Sequence, residues 1–220
     1  MLAISESPEA ATSARFFKGE EQDALDGKLN DNSEAAAHAR IARAKEALAA
    51  LRKFDRKTLN PQQRISAEML DYQLQVIIDE EPWLKYNFPL NQFRGIQTAL
   101  PGLLTDMHPV RNARDVENYL LRLEAGGPKI DVALKIMQDR AKQNIRLPGF
   151  IAVETVGQMK RFSTPAPAQN ILVTSLADRM KRVNTIPPER QAAYLASAEK
   201  LVRDSLYPAY RRAMDGLETI

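Results

Sequence analysis

The sequence predicts an all-α fold: a multi-helix bundle of antiparallel helical hairpins carrying one long, irregular, aromatic loop. Three observations predict it. Apolar residues recur at steps of three and four, as on one face of a helix. No stretch alternates with the period of two that a half-buried strand requires, and no repeat at a fixed spacing is present. Alanine, the best helix former, makes up roughly 14% of the 220 residues.

Residues 1–31 are polar and rich in turn formers, with Pro8, Gly19, Gly27 and Asn30-Asp31-Asn32, and read as an irregular leader. The remainder, 32–220, reads as a single helical domain. Ser33 can cap a helix from about Glu34 to Phe54, with Ala37, Ile41, Ala44, Leu48 and Leu51 on one face. Asn60-Pro61 starts the next helix, because proline at the first turn loses no bond. Its stripe of Ile65, Met69, Tyr72 and Val76 runs on to Pro82 and should close an antiparallel hairpin with the first.

From Trp83 to Val110 the pattern breaks, with Pro89, Gly95, Pro101, Gly102 and Pro109 punctuating an aromatic run and room for one short helix between Asn91 and Leu100. Long irregular segments inside compact domains are often functional. Asn112 can cap a helix over Ala113 to about Ala125, Gly126-Gly127-Pro128 reads as a break or kink, and a further helix reaches about Gln143. Helices near Phe150–Phe162 and Ala168–Val183 follow, separated by Ser163-Thr164-Pro165-Ala166-Pro167. Pro187-Pro188-Glu189 opens the last helix, which Pro208 should bend.

Composition excludes several kinds of chemistry. There is no cysteine, so no disulfide framework, thiol nucleophile or thiolate metal site. Lys and Arg number 31 against 28 Asp and Glu, a net +3, and the signs are interleaved, as in Glu199-Lys200 and Arg203-Asp204. That is a solvated helix surface, not a nucleic-acid footprint. No run approaches the ~18 apolar residues of a membrane crossing. The start, Met1 to Pro8, has neither the basic nor the apolar region of a signal peptide. The partner classes nucleic acid and membrane are therefore not expected.

Catalytic candidates are few. There is no H-E-x-x-H zinc motif, and the histidines are two, His38 and His108. Glu34 stands one turn before His38, which leaves a two-ligand site or a plain surface imidazole; His108, before Pro109, suits a loop-holding hydrogen bond better than a metal. Gly126-Gly127-Pro128 lacks the Lys-Ser/Thr of a phosphate loop, and no G-x-S-x-G elbow occurs. Asp79-Glu80-Glu81 could pair carboxylates for acid–base work or simply be solvated. Asn91, Gln92 and Arg94 bring amides and a guanidinium into the aromatic loop. Such groups can recognise a peptide backbone or carboxylate, or Asn91 can cap the short helix while Gln92 satisfies buried backbone. Tyr207-Pro208-Ala209-Tyr210-Arg211-Arg212 is a further polar–aromatic cluster, suited to helix packing.

At three places the sequence resembles a known bacterial family, domain of unknown function 885. They are Ser7-Pro8-Glu9-Ala10-Ala11-Thr12, the loop Phe88-Pro89-Leu90-Asn91-Gln92-Phe93-Arg94-Gly95-Ile96-Gln97 with Leu100-Pro101 and His108-Pro109, and the segment Leu206 to Arg212. The resemblance implies a helical, zinc-dependent, peptidase-like protein, often exported, whose zinc motif lies in a C-terminal half. On that reading this chain is the N-terminal helical portion alone, inactive by itself. It would bind no cofactor here, with zinc implied for the full-length family member. Its partner would be the missing catalytic half or a peptide-like substrate, with Asn91, Gln92 and Arg94 lining the cleft. The alternative is a free-standing helical binding module.

Overall fold

A computed structural model describes residues 7–220, and the opening residues 1–6 of the expected leader lie outside it. Among the described residues there are ten α-helices and no strand. The chain forms two compact units, Asp31–Asn87 and the rest, Phe88–Ile220 together with the segment up to Asn30. The expected single domain over 32–220 is thus divided after Asn87, and residues 7–30 of the expected leader belong to the larger unit.

Most of residues 8–26 are helical. They form α1 (Pro8–Ala14) and α2 (Gly19–Asp26). The signals that suggested a loop sit at the ends of these helices: Ser7 Oγ caps α1 ahead of Pro8, and Gly19 takes a positive φ of 56° as α2 starts. Each helix is too short to hold alone. Asp26, fully buried, ties them by accepting from Thr12 Oγ1 at 2.6 Å, Gln22 Nε2 at 2.8 Å and Arg15 Nη1 at 2.7 Å.

The smaller unit is a hairpin of α3 (Glu34–Leu51) and α4 (Pro61–Asp79). Ser33 caps α3 as expected, and Asn60 with Gln63 forms a reciprocal capping box on α4. Ile41, Ala44 and Leu48 of α3 are buried with Ala67 of α4. Here the structure departs from the pattern. Ile65, Met69, Tyr72 and Val76, expected to close the hairpin, are 59, 58, 72 and 39% exposed. Helix α4 carries two apolar stripes, and the one on Ala67, Leu74 and Ile78 is the less exposed. Asp71 shares that stripe and accepts from both Arg52 (3.0 Å) and Arg56 (2.8 Å).

The larger unit is built on α6 (Ala113–Lys142), one unbroken helix through Gly126-Gly127-Pro128. Against it pack α5 (Ile96–Gly102), α9 (Pro188–Leu201) and α10 (Tyr207–Glu218), while α7 (Gly149–Ser163) packs on α10 and α5 and α8 (Ile171–Met180) on α9, around a core that includes Val116, Tyr119, Leu123, Ile130, Met159, Leu176, Leu206 and Tyr210. The last helix of the sequence is two helices, α9 and α10. They are joined by a π-turn over Val202–Leu206, in which Tyr207 N–H donates to the Val202 carbonyl five residues back. Widening the ladder there accommodates Pro208, which has no N–H to give. A second π-turn, Leu103–Met107, follows Pro101 in α5.

Candidate functional site

The aromatic loop is folded by its own polar residues. Asn91 Nδ2 donates to the Phe88 carbonyl at 2.8 Å, and Asn91 Oδ1 accepts from the backbone of Phe93 (3.0 Å) and Arg94 (2.9 Å). Its amide is therefore committed to the turn. It does not cap α5, whose first turn follows Gly95. A Cβ at Gly95 would collide with Gln97 Oε1 and the Asn91 backbone, so only glycine fits. Gln92 is held through its carbonyl, which accepts from Gln158 Nε2 at 2.9 Å, while its half-buried side chain is not the group that satisfies buried backbone. That task falls to Gln97, whose Nε2 donates to the Asn91 carbonyl at 2.6 Å and to Gln158 Oε1 at 3.0 Å. Among the described residues, Gln97 Oε1 is the buried side-chain atom left without a hydrogen bond.

What the loop turns outward is Phe93, 81% exposed, and Arg94, exposed and without an ion-pair partner among the described residues. The structure thus brings Asn91, Gln92 and Arg94 together as neighbours on one turn, with Asn91 as the mount. The loop is braced from α10, where the buried Tyr210 hydroxyl donates to the Gln97 carbonyl at 2.7 Å. Burial pushes that phenol well above its ordinary range. Tyr207 is likewise a packing residue, donating to the Pro165 carbonyl at 2.8 Å and accepting from Asn170 Nδ2 at 3.0 Å.

A second polar centre lies inside the larger unit, and periodicity did not reveal it. Arg122 of α6 has no solvent exposure. Its guanidinium donates to the carbonyls of Lys28 (2.8 Å), Leu25 (3.2 Å) and Pro8 (3.3 Å), to Thr12 Oγ1 (2.7 Å) and to His108 Nδ1 (3.1 Å). Burial lowers its pKa to about 10, so it remains charged. His108 Nε2 donates to the Asp115 carbonyl at 2.8 Å, and the ring meets Tyr119 edge-on. Burial, reinforced by Arg122, brings the His108 pKa down to about 4. One signal was available: Arg122 falls between Tyr119 and Leu123 on the buried side of α6, where a charge demands partners.

The residues present do not suit a zinc ion. Both nitrogens of His108 are taken, one by a carbonyl and one by a guanidinium. His38 is on the exposed side of α3. Asp23, Asp26 and Asp115 gather their carboxylate oxygens within 4.8 Å, but Asp26 is held by Arg15 and Asp115 by Arg111 (2.8 Å). Oxygen-only donors of this kind are not a zinc set. Nor are Asp79, Glu80 and Glu81 poised for acid–base work: Glu80 pairs with Arg40, Glu81 with Lys45, and Asp79 accepts from Gln75.

These two centres join the segments that carried the family resemblance. Thr12 and His108 meet at Arg122, and the loop meets the final helix where Tyr210 reaches Gln97. Comparison with known proteins is in keeping with that arrangement. No curated protein matches the chain. The crystal structure of a protein described as a lipoprotein from Colwellia psychrerythraea superposes with a TM-score of 0.88 at 13% sequence identity. At that identity the likeness shows the fold. The match covers 99% of this chain and 39% of that one, so this chain spans about two fifths of its neighbour's length. The family model that matches runs over residues 8–220, from the helix strapped under Arg122 to the end of α10, and the chain belongs to the bacterial proteins of unknown function grouped as DUF885.

Proposed function

We propose that this chain is the non-catalytic helical portion of a longer protein resembling a zinc metallopeptidase, serving as scaffold and as one wall of the substrate cleft. The observation that carries the reading is the pairing of near-complete coverage of this chain with only 39% coverage of the neighbour. The binding-up of His108 on both sides supports it, because the imidazoles that a zinc hydrolase needs have to come from elsewhere. On this wall Arg94 and Gln92 face the peptide, Phe93 supplies apolar contact, and Asn91 fixes the turn. A guanidinium with no ion-pair partner among the described residues suits a peptide carboxylate or carbonyl. The neighbour's description as a lipoprotein supports an exported setting for such a protein; among the described residues no helix is long and apolar enough to cross a membrane.

The competing reading, a free-standing binding module, expects a polar exterior, and the exposed stripe of α4 weighs against it. Metal analysis and a peptidase assay on the purified chain test the proposal. The expected result is no stoichiometric zinc after dialysis and no peptide cleavage. One tightly held zinc per chain, or turnover by the isolated chain, overturns it.

A further inference from the structure

Helix α4 presents a seam that its hairpin leaves open. Ile65, Met69, Tyr72 and Val76 follow one another at steps of four, three and four, the spacing of alternate d and a positions in a heptad. All four are substantially exposed. Beyond Asp79, which takes the next seam position and ends the helix, the sequence spacing meets apolar residues again at Trp83 and Tyr86, 66 and 56% exposed, whose rings lie 6.0 Å apart. Aromatic residues and methionine are the side chains that interface cores favour. The positions flanking the seam, Ser66, Glu68, Gln73 and Gln75, carry no base. Glu68 is exposed and has no ion-pair partner among the described residues.

We infer that this seam docks an amphipathic helix with basic flanks, supplied by the part of a longer family member that lies beyond the matched region. The inference rests on reading the chain as a portion of such a protein. Two observations choose the occupant. The neighbour carries well over half of its length outside the match, so further chain remains to be placed against this portion. Charge supplies the second. Two copies of α4 facing each other would set acid and amide flanks against the same flanks, where the nearby cation, Arg52, is already committed to Asp71 and Gln75, whereas lysines at the flanking positions complement Glu68. A seam of four to six large apolar side chains also exceeds the scattered exposure of an ordinary surface.

The test uses the full chain and two three-heptad synthetic peptides with leucine at a and d. One carries lysine at e and g, the other glutamate. Fluorescence anisotropy should show the lysine peptide binding about tenfold tighter than the glutamate peptide. Met69→Glu and Tyr72→Glu, at exposed positions and with unchanged far-UV circular dichroism, should abolish that binding. Phe150→Glu, at a 71% exposed position in the other unit, should leave it intact. Equal binding of the two peptides, no binding, or binding that survives Met69→Glu overturns the inference. So does a light-scattering mass of a dimer that halves on Met69→Glu, which would make a second copy the occupant. If docking fails while the chain stays zinc-free and inactive, the scaffold reading stands and this surface alone is wrong. Peptide turnover by the chain brings down the scaffold reading whatever the peptides do.

Discussion

The guanidinium of Arg122 is buried, so its charge rests on three carbonyls, a hydroxyl and an imidazole, with Asp26 nearby through Thr12. The loss of water around His108, and then the cation beside it, oppose a second positive charge there, which is why that imidazole is held neutral down to about pH 4. An unfolded histidine titrates near 6.5. Between those values the unfolded chain takes up a proton that the native chain refuses, so stability falls as the pH drops through this window. The loss should reach about 2 kcal/mol between pH 7 and pH 5. The carboxyl of Asp26, lowered in the folded state, contributes only below that range. Urea midpoints taken across these pH values check the expectation, with His108→Gln as control. The variant should be less stable at pH 7 and show a flatter profile. An identical slope in both proteins would show that His108 is not the titrating group. At this scale His108 is legible in the sequence as a loop-holding residue, whereas Arg122 is not. Charge alone does not say whether a side chain on an apolar face finds partners, and its partners lie as many as 114 residues away.

Elements show a different limit. Gly126-Gly127-Pro128 has the composition of a break, and α6 runs straight through it because each residue has a task. A Cβ on Gly126 would stand 2.8 Å from Leu100 Cδ2, and one on Gly127 would strike Ser205 Oγ with the Ser205 carbonyl oxygen at 3.1 Å. The glycines thus let α6 approach α5 and the π-turn before α10. Pro128 is on the exposed side, where water can serve the carbonyl its ring leaves unpaired. Alanine for glycine gains up to ~1 kcal/mol of helix propensity. Overpacking against Ser205 costs about 1–3 kcal/mol. The Ser205 hydroxyl can rotate away but the backbone behind it cannot, so Gly127→Ala should lower stability by a net ~1 kcal/mol. A urea midpoint above that of the parent protein would contradict this. The same reasoning explains what was legible. Caps such as Ser33 and Asn112, and the start at Asn60-Pro61, are local chemistry and are readable. Which of the two stripes on α4 faces α3 is decided by packing, and periodicity had no means to choose.

Across the whole molecule, the candidate site was legible as chemistry but not as geometry. The loop's amides and guanidinium were identifiable by type, whereas the division of labour, with Asn91 and Gln97 folding the turn and Arg94 left outward, depends on Gln158 and Tyr210, 61 and 113 residues from Gln97. The division of the chain into two units has an energetic consequence of its own. The larger unit has a continuous core along α6, α8 and α10. In the smaller one the buried apolar side chains are Ile41, Ala44, Leu48 and Ala67, three of them on a helix half of whose residues are alanine. Small side chains bury little area, at about 25 cal/mol per Å², and the surface ion pairs Arg40–Glu80 and Lys45–Glu81 add at most about 1 kcal/mol each. Local opening is governed by such differences in buried contact. Native-state hydrogen exchange should therefore find the amides of α3 and α4 opening at clearly lower free energy than those of α6 and α10, together and as one cooperative set. Equal protection in the two units would mean that the hairpin draws its stability from contacts other than its own core.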